Sequence, residues 1–508
     1  MLELYPINSF GPIMKGLAIG ALGILHVFLA QFAIGGGMLM SYLQWRSMWH
    51  ASETARLFTD SLFKFLVLVS FVVGAISGVA MWFTAIQVGP RTIGMMVDAF
   101  HWVWGIEWTF FCLEVVSGYA FYRYGKWLND SARLALLLIY TLAAWFSLFW
   151  INGILAWQLT PGDWTQTHTV WAGFFNPGFW PSLFYRTVAA LTIATLVALV
   201  VVNCMPASRD DRQKLVHELG PLLVPMLLMP LLGAWYVATM PEDSRGWALG
   251  GSPIMAMFLM MATGASILIG LYAALGLVWG GLYINTASAL VLVCLAFGAT
   301  AGGEFVREGV RKPFTIRGTL YSNGILISEV AELRKSGVTD RPDTFPLRDA
   351  DEYPTLQLRR GAVVYRQLCS ACHTLDGVNA LDALTGSWTT EQKRLNIAQI
   401  QRTKPFMPPF AGTAAEVETL VQLLNWRKQG QPNAWQHLGE SAQREVVARI
   451  QYYLDEAGTA PGSDFEHGRR QQSLMRDGVP SFGIASPPEG KTSTNAESGP
   501  PASAEETP

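Results

Sequence analysis

The sequence predicts an all-α protein, a polytopic bundle of about eight transmembrane helices with its N-terminus outside, followed by a small all-α domain. Hydrophobic residues make up 51% of the 508 residues and charged residues only 15%, which excludes an ordinary soluble enzyme of this size. Long uncharged runs recur up to residue 302. Beyond them the chain is more polar and contains the spacing Cys-x-x-Cys-His, which marks the second domain.

Each uncharged run is close to the roughly 20 residues that a helix needs to cross a membrane. The first run is too long for a cleaved signal peptide and has no small-residue cleavage site behind a short apolar region. We therefore expect eight spans. They fall at about 14–42, 61–88, 98–122, 132–157, 182–203, 221–240, 252–278 and 280–302.

The distribution of Lys and Arg predicts the orientation. The loops after spans two, four and six contain only Arg91 and Arg245, whereas the loops after spans one, three and five are basic. Basic loops stay in the cytoplasm, so the N-terminus is predicted outside, and eight spans return the chain to the outer side. The residues of the basic loops are Arg46, Arg56, Arg123, Lys126, Arg133, Arg209, Arg212 and Lys214.

Composition divides the chain into five parts. Residues 1–320 form the predicted membrane domain, 321–352 a linker that we expect to be flexible, and 353–430 a compact domain followed by one further helix at 431–455. Residues 456–508 are rich in Pro, Ser, Gly and Glu, and we expect this tail to be disordered because it cannot bury a core. The net charge of −2 indicates nothing about partners.

The segment "RQLCSACHTLDG" (366–377) has the spacing for covalent heme attachment. Cys369 and Cys372 are placed to form thioethers to one porphyrin, while His373 supplies the proximal iron ligand. The alternatives are a chance match, a zinc site or a redox pair. A zinc site needs further Cys or His ligands at fixed spacing, which the neighbouring sequence lacks.

A Pro-rich stretch downstream contains a second candidate iron ligand. Met407 lies in "RTKPFMPPF", and His/Met cytochromes c use such a thioether as their sixth ligand, although most Met residues are core filler. The flanking segments "LQLRRGAVVYRQL" and "AAEVETLVQLLNWRKQ" predict the two terminal helices that pack together in these proteins. Residues 353–430 thus resemble a class I cytochrome c domain. The resemblance implies one covalent heme c, attached on the outer side of the membrane.

Three ionisable residues well inside the apolar runs are candidate site residues. His26 shares a helical face with small residues, which leaves a shallow groove for a flat ring, but small-residue helix packing with a hydrogen-bonded His26 explains the same pattern. Glu107 and Glu114 are seven residues apart and therefore lie on one face of the third span. Buried carboxylates are protonated, paired or bound to a metal. The small residues beside His26 are Gly16, Gly23, Ala30, Ala33 and Gly37.

The segment "GGEFVREGVRKPFTIRG" follows the last span and mixes acidic with basic residues at the membrane surface. An ordinary solvated charge run explains this composition. The segment lies, however, on the side predicted to carry heme c.

Residues 1 to about 320 resemble subunit I of the cytochrome bd oxidases. The resemblance implies that His26 is an axial ligand of an active-site heme, that Glu308 in "GEFVREGVRKPF" also ligates a heme, and that Arg311 is the Arg of that segment. Glu114 matches the family carboxylate near "FFLE", and Glu107 matches with a one-residue shift. The segments "NGILAWQLTPG" and "FFNPGFW" match as well.

The chain departs from this family at the quinol end. The family sequence "HTVA" supplies a His ligand of the low-spin heme b, but here the stretch is "RTVA", and Arg186 cannot bind iron because its guanidinium stays protonated. Met261 is the match for the second ligand of that heme. The loop "ATMPEDSRGWALGGSP" lacks the quinol-binding insert, and a ninth span is absent. We expect Arg186 to anchor a heme propionate or to dock the cytochrome c domain.

These expectations describe a membrane oxidoreductase of the bacterial inner membrane, with its cytochrome c domain in the periplasm. Heme c takes electrons from a periplasmic donor such as a cytochrome c, and one or two b- or d-type hemes reduce O2 while Glu107 and Glu114 deliver protons or complete the second heme site. A second membrane subunit is expected, but neither quinol nor nucleic acid. The alternatives are an electron-transfer subunit without oxygen chemistry and a degenerate scaffold that keeps only heme c.

Overall fold

The computed structural model describes residues 10–50, 53–339, 341, 347 and 349–462. Fourteen α-helices precede residue 310 in this part of the chain. They are α1 (Lys15–His50), α2 (Glu53–Leu66), α3 (Ala75–Val88), α4 (Pro90–Ala99), α5 (His101–Tyr124), α6 (Asp130–Trp157), α7 (Trp164–Thr167), α8 (Val170–Phe174), α9 (Phe179–Cys204), α10 (Arg209–Leu219), α11 (Met229–Thr239), α12 (Glu242–Gly246), α13 (Pro253–Leu271) and α14 (Thr286–Gly309).

A two-stranded antiparallel sheet and seven further helices follow. The strands are β1 (Phe314–Ile316) and β2 (Leu320–Tyr321). The helices are α15 (Val330–Ser336), α16 (Leu356–Val364), α17 (Leu381–Thr385), α18 (Thr390–Ala398), α19 (Ile400–Thr403), α20 (Ala414–Lys428) and α21 (Glu440–Ala457). The predicted all-α class is confirmed. The predicted tail lies outside the described residues beyond residue 462.

Seven helical segments within the described residues are long and apolar enough to cross a membrane. The third predicted span corresponds to α5, which has 24 residues but is not among the seven, because Glu107, Glu114 and His101 lower its hydropathy. The seven segments are Lys15–Trp49, Thr54–Val88, Asp130–Trp157, Phe179–Cys204, Arg209–Thr239, Pro253–Trp279 and Thr286–Gly309.

Small residues bring the central helices of the bundle together. A Cβ on Gly35 of α1 would lie 1.9 Å from the carbonyl oxygen of Ala190 in α9, and one on Gly37 would lie 2.8 Å from the ring of Tyr140 in α6. Only glycine permits such close approach of backbones. The second half of α1 therefore packs closely against α6 and α9.

The chain after α14 joins the membrane domain to the cytochrome c-like domain. Ile316 and Leu320 of the strand pair are buried with the membrane helices. Phe314 and Tyr321 are instead buried in the hydrophobic core of the C-terminal domain, called the second core below, with ring centroids 5.0 Å apart. The second core also buries the helices that follow. The predicted linker, residues 321–352, contributes buried side chains to that core, namely Tyr321, Ile325, Val330, Leu333 and Val338.

The C-terminal domain has helices with well-defined starts. Thr413 and Glu416 form a reciprocal capping box at the start of α20, and the Glu416 carboxylate also accepts hydrogen bonds of 2.8 Å from the backbone N–H groups of Val338 and Thr339. α20 packs against α16, as predicted for two terminal helices. α21 covers α20 through buried Ile450 and Leu454.

Candidate functional site

The Cys-x-x-Cys-His segment forms one compact turn at the end of α16. A π-helical turn at Tyr365–Cys369 ends the helix, and the backbone N–H groups of Cys372 and His373 donate to the Cys369 carbonyl at 3.1 and 3.0 Å. No group of three or more His, Cys, Asp or Glu side chains among the described residues is arranged to hold a metal ion. The zinc alternative therefore finds no support in this part of the chain.

The ring of His373 is held in one tautomer. Its Nδ1 lies 3.0 Å from the Asn379 carbonyl oxygen, and because a carbonyl only accepts, Nδ1 carries the proton and Nε2 keeps its lone pair. Burial lowers the pKa of His373 below 6.5, although the hydrogen bond to Asn379 opposes this shift. The Asn379 side chain in turn donates to the Cys372 carbonyl at 2.8 Å. A neutral imidazole with a free Nε2 is the form that binds heme iron.

Met407 lies in a tight loop between α19 and α20. Its backbone N–H donates to the Lys404 carbonyl at 2.8 Å, and Phe410 and Ala411 behind it are buried in the core of the domain. The side chain of Met407 is half-buried. The sequence-based assignment of Met407 as the sixth heme ligand stays a prediction.

His26 packs on α3 in the membrane domain. Its Nδ1 lies 3.2 Å from the Ser77 hydroxyl oxygen. That hydroxyl donates its only proton to the Gly74 carbonyl at 2.9 Å. The Ser77 oxygen therefore accepts from Nδ1, and Nε2 of His26 is left with a lone pair. His26 is hydrogen-bonded to a neighbour, and its assignment as a heme ligand stays a prediction.

The small-residue face of α1 changes character along the helix. Gly37 is packed against Tyr140, but no heavy atom lies within 4 Å of a Cβ built on Gly23. Gly78 of α3 allows the His26 ring to approach, since a Cβ there would lie 2.9 Å from its Cε1. The half of α1 that carries His26 therefore leaves space for a flat ring, and the residues present fit a heme.

Glu107 and Glu114 of α5 both face α6, where they lie beside different residues. Ser147 donates a 2.7 Å hydrogen bond to Glu107 Oε1, and Glu114, which is 8% exposed, interacts with the hydroxyl of Tyr140. The Tyr140 hydroxyl also donates to the Ala33 carbonyl of α1 at 3.2 Å. Both carboxyl groups thus lie on the α6 side of α5, and their proposed proton roles remain predictions.

Arg186 is paired with a carboxylate of α14. Its Nη2 lies 3.5 Å from Glu304 Oε1, and Arg307 Nε donates to the other oxygen, Oε2, at 2.6 Å. Glu304 and Arg307 belong to the charged segment after the last span, and the sequence pattern predicts no individual role for either. That Arg186 anchors a propionate or docks the cytochrome c domain stays a prediction.

Glu308 lies at the end of α14 among cations. It pairs with Arg311 one turn later and with Lys312, whose Nζ lies 3.5 Å from Oε1. Arg311 is 6% exposed, and its Nε has no hydrogen-bond partner among the described residues. With the previous pair, four cationic side chains face two carboxylates. The surplus positive charge and the unpaired donor suit the carboxylates of a heme.

The cytochrome c-like domain contacts the membrane domain on both candidate ligand loops. The Val378 backbone N–H donates to the Pro12 carbonyl at 2.9 Å, next to the His373 loop. On the Met407 loop, the Phe406 ring lies 6.3 Å from the ring of Trp247, which belongs to the short turn after α12. Sequence reasoning missed Ser77, Asn379 and Trp247. Ser77 and Trp247 act across contacts between residues distant in the chain, whereas Asn379 acts on His373 from six residues away.

Comparisons with known proteins extend these observations. Residues 17–244 match the family described as cytochrome bd terminal oxidase subunit I, and residues 356–426 match the family described as cytochrome c oxidase, cbb3-type, subunit III. Glu308 and Arg311 lie outside both matched ranges. The chain is similar to the solved bd oxidase from Geobacillus thermodenitrificans, with a TM-score of 0.52 and 14% identity over 60% of this chain and 88% of that chain. The curated proteins contain no match.

Proposed function

Because the chain joins a cytochrome bd oxidase subunit I-like membrane domain to a cytochrome c domain, we propose that it is a quinol-independent terminal oxidase fed through its own heme c. At the coarser level the chain is a multi-pass membrane protein with an oxidoreductase domain and an electron-transfer domain. The finer proposal adds the donor, the acceptor and the route between them.

The observation that carries the proposal is the seating of the cytochrome c domain. Both loops assigned to the axial ligands of heme c rest on the membrane domain, through Val378 on Pro12 and through Phe406 on Trp247. The bidentate pair between Arg91 of α4 and Glu329, at 2.7 and 2.8 Å, ties the intervening segment down. Such an arrangement supports short-range electron transfer between the two domains.

The chain's own residues have distinct roles in this proposal. Cys369 and Cys372 would attach one heme c, and His373 and Met407 would hold its iron. His26 and Glu308 would hold the b- or d-type heme or hemes, which would supply the binding and reduction of O2. Arg186 and Arg311 neutralise heme carboxylates, while Glu107 and Glu114 hold protons beside the site.

Trp247 lies where the related oxidases are expected to carry the quinol-binding insert. In this chain a five-residue helix, α12, and a π-helical turn at Trp247–Gly251 fill the interval between α11 and α13. The turn is used for contact with Phe406 instead. We propose a periplasmic one-electron donor such as a cytochrome c, a periplasmic cytochrome c domain, a second membrane subunit and no role for quinol.

Oxygen uptake by the purified protein tests the function. With reduced cytochrome c as donor, we expect uptake that is lost in His26→Ala while heme c stays attached. Reduction of the membrane hemes without oxygen uptake would instead identify an electron-transfer subunit of a larger complex. A pyridine hemochrome assay that finds only heme c would identify the degenerate scaffold.

A further inference from the structure

Lys15, the first residue of α1, reaches from the membrane domain into the heme-attachment segment. Its side chain is 4% exposed, and Nζ donates a 2.9 Å hydrogen bond to Ser370 Oγ, between the two attachment cysteines. The Ser370 hydroxyl gives its own proton to the Arg366 carbonyl at 2.6 Å, so its oxygen is free to accept from the ammonium group. The contact is therefore specific for a donor at position 15.

The neighbours of Lys15 keep this contact in place. Beside it, the Pro12 carbonyl accepts from the Val378 backbone, and the Met14 sulfur lies 3.8 Å from Asn379 Nδ2. Asn379 is the residue whose carbonyl orients His373. The start of α1 thus rests on the loop that holds the proximal histidine.

The charge of Lys15 has no counter-ion among the described residues. Among charged groups, Arg366, of the same sign, has the largest electrostatic effect on it, and Cys372 also interacts with it. Lys312 also interacts with Cys372, but it is paired with Glu308. A buried and unpaired ammonium group is costly, and the structure keeps it beside the heme-attachment residues.

We infer that Lys15 raises the reduction potential of heme c. One electron added to ferric heme c lowers the charge of the iron centre by one, so a nearby fixed positive charge favours the reduced form. Because Lys15 belongs to the membrane domain, the potential of heme c depends on docking. The inference rests on the proposed function only in requiring heme c at Cys369 and Cys372.

A spectroelectrochemical titration of heme c in the full-length protein tests the inference. In Lys15→Met we expect the equilibrium constant for reduction to fall about tenfold, which is about 59 mV for a one-electron couple. Lys15→Arg keeps the charge and should keep the potential. Ser370→Ala removes the hydrogen bond but not the charge, and should lower the potential less than Lys15→Met.

Lys393→Met is the matched control. Lys393 is a buried lysine of the cytochrome c domain, 1% exposed, and its Nζ is bound to Asn425 Oδ1 at 2.9 Å. Equal shifts in Lys15→Met and Lys393→Met, or no shift in Lys15→Met, would overturn the inference. Failure of the proposed function appears elsewhere, as reduced heme c that does not pass electrons to the membrane hemes in the wild-type protein.

Discussion

The two candidate heme sites of this chain are built in opposite ways. In the cytochrome c domain the attachment cysteines and His373 lie on a single turn stabilised by local hydrogen bonds. In the membrane domain His26 and Glu308 come from α1 and α14, at opposite ends of the bundle sequence. A contiguous site depends mainly on the folding of one small domain, whereas a distributed site depends on how every central helix packs.

Both histidines are nevertheless oriented by the same kind of hydrogen bond. An oxygen that can only accept, the Asn379 carbonyl or the already engaged Ser77 hydroxyl, fixes the proton on Nδ1. Nε2 then keeps its lone pair in both residues. The two histidines thus have the same tautomer, and their assignment as iron ligands stays a prediction.

The largest expected effect is loss of heme from the membrane site alone. His26→Ala removes the predicted iron ligand of the membrane site, and we expect loss of non-covalent heme while heme c remains attached to Cys369 and Cys372. Heme extraction with a pyridine hemochrome spectrum measures both. His101→Ala, at the exposed start of α5, is the control and should retain all hemes. Unchanged non-covalent heme in His26→Ala would remove His26 from the ligand set.

Breaking the buried ion pair of the cytochrome c domain should destabilise that domain and leave the membrane domain unaffected. Arg394 contacts both oxygens of Glu418 at 2.7 Å, and the Glu418 side chain is 1% exposed. Arg394→Met leaves a buried carboxylate unpaired and should cost about 3–5 kcal/mol of domain stability. The temperature at which the native heme c spectrum is lost on heating measures this change in stability. For Arg449→Met at the surface we expect about 1 kcal/mol or less.

Met407→Leu tests the sixth ligand of heme c. We expect covalent attachment to survive and the reduction potential to fall, because a thioether ligand favours ferrous iron. Redox titration measures the change. Met261→Leu, in the membrane domain, should leave the heme c potential unchanged. An unaltered potential in Met407→Leu would assign the sixth ligand to another residue.

Trp247→Ala tests the docking of the Met407 loop. Loss of the aromatic contact with Phe406 should weaken docking by about 1 kcal/mol and slow electron transfer between the domains. Rapid-mixing spectroscopy of heme c oxidation measures the rate. Trp279→Ala removes a tryptophan that is 84% exposed and should not change it. Equal rates in both variants would mean that the turn at Trp247 does not seat the loop.

The smallest expected effect is a dependence of docking on pH. Burial would raise the pKa of Glu329, but hydrogen bonds from Arg91 and from the Leu326 backbone N–H hold it below 4.5. A lowered pKa contributes stability that is present above pH 4.5 and is lost as the pH falls through the folded-state value. Hydrogen exchange of residues 320–338 between pH 3 and 6 measures this, and Glu329→Gln should flatten the profile. An unchanged profile in that variant would exclude this ion pair as the cause.

Local sequence determined much of this protein. The uncharged runs specify membrane helices because each must satisfy its backbone within the segment, and the Cys-x-x-Cys-His spacing predicts heme attachment because it acts within one turn. The helix pair around the heme c motif was likewise predicted from its flanks. These features depend on residues that are neighbours in the chain.

Only the tertiary structure decided how the two domains are joined and how their histidines are held. Ser77 is 51 residues from His26, and Lys15 is 355 residues from Ser370. Within the predicted linker, the described residues include the end of β2 and all of α15, and Tyr321, Val330 and Leu333 are buried in the second core. The reason is physical: each contact depends on which helix faces approach one another, and that is set by close packing at positions such as Gly35 and Gly78 rather than by local spacing.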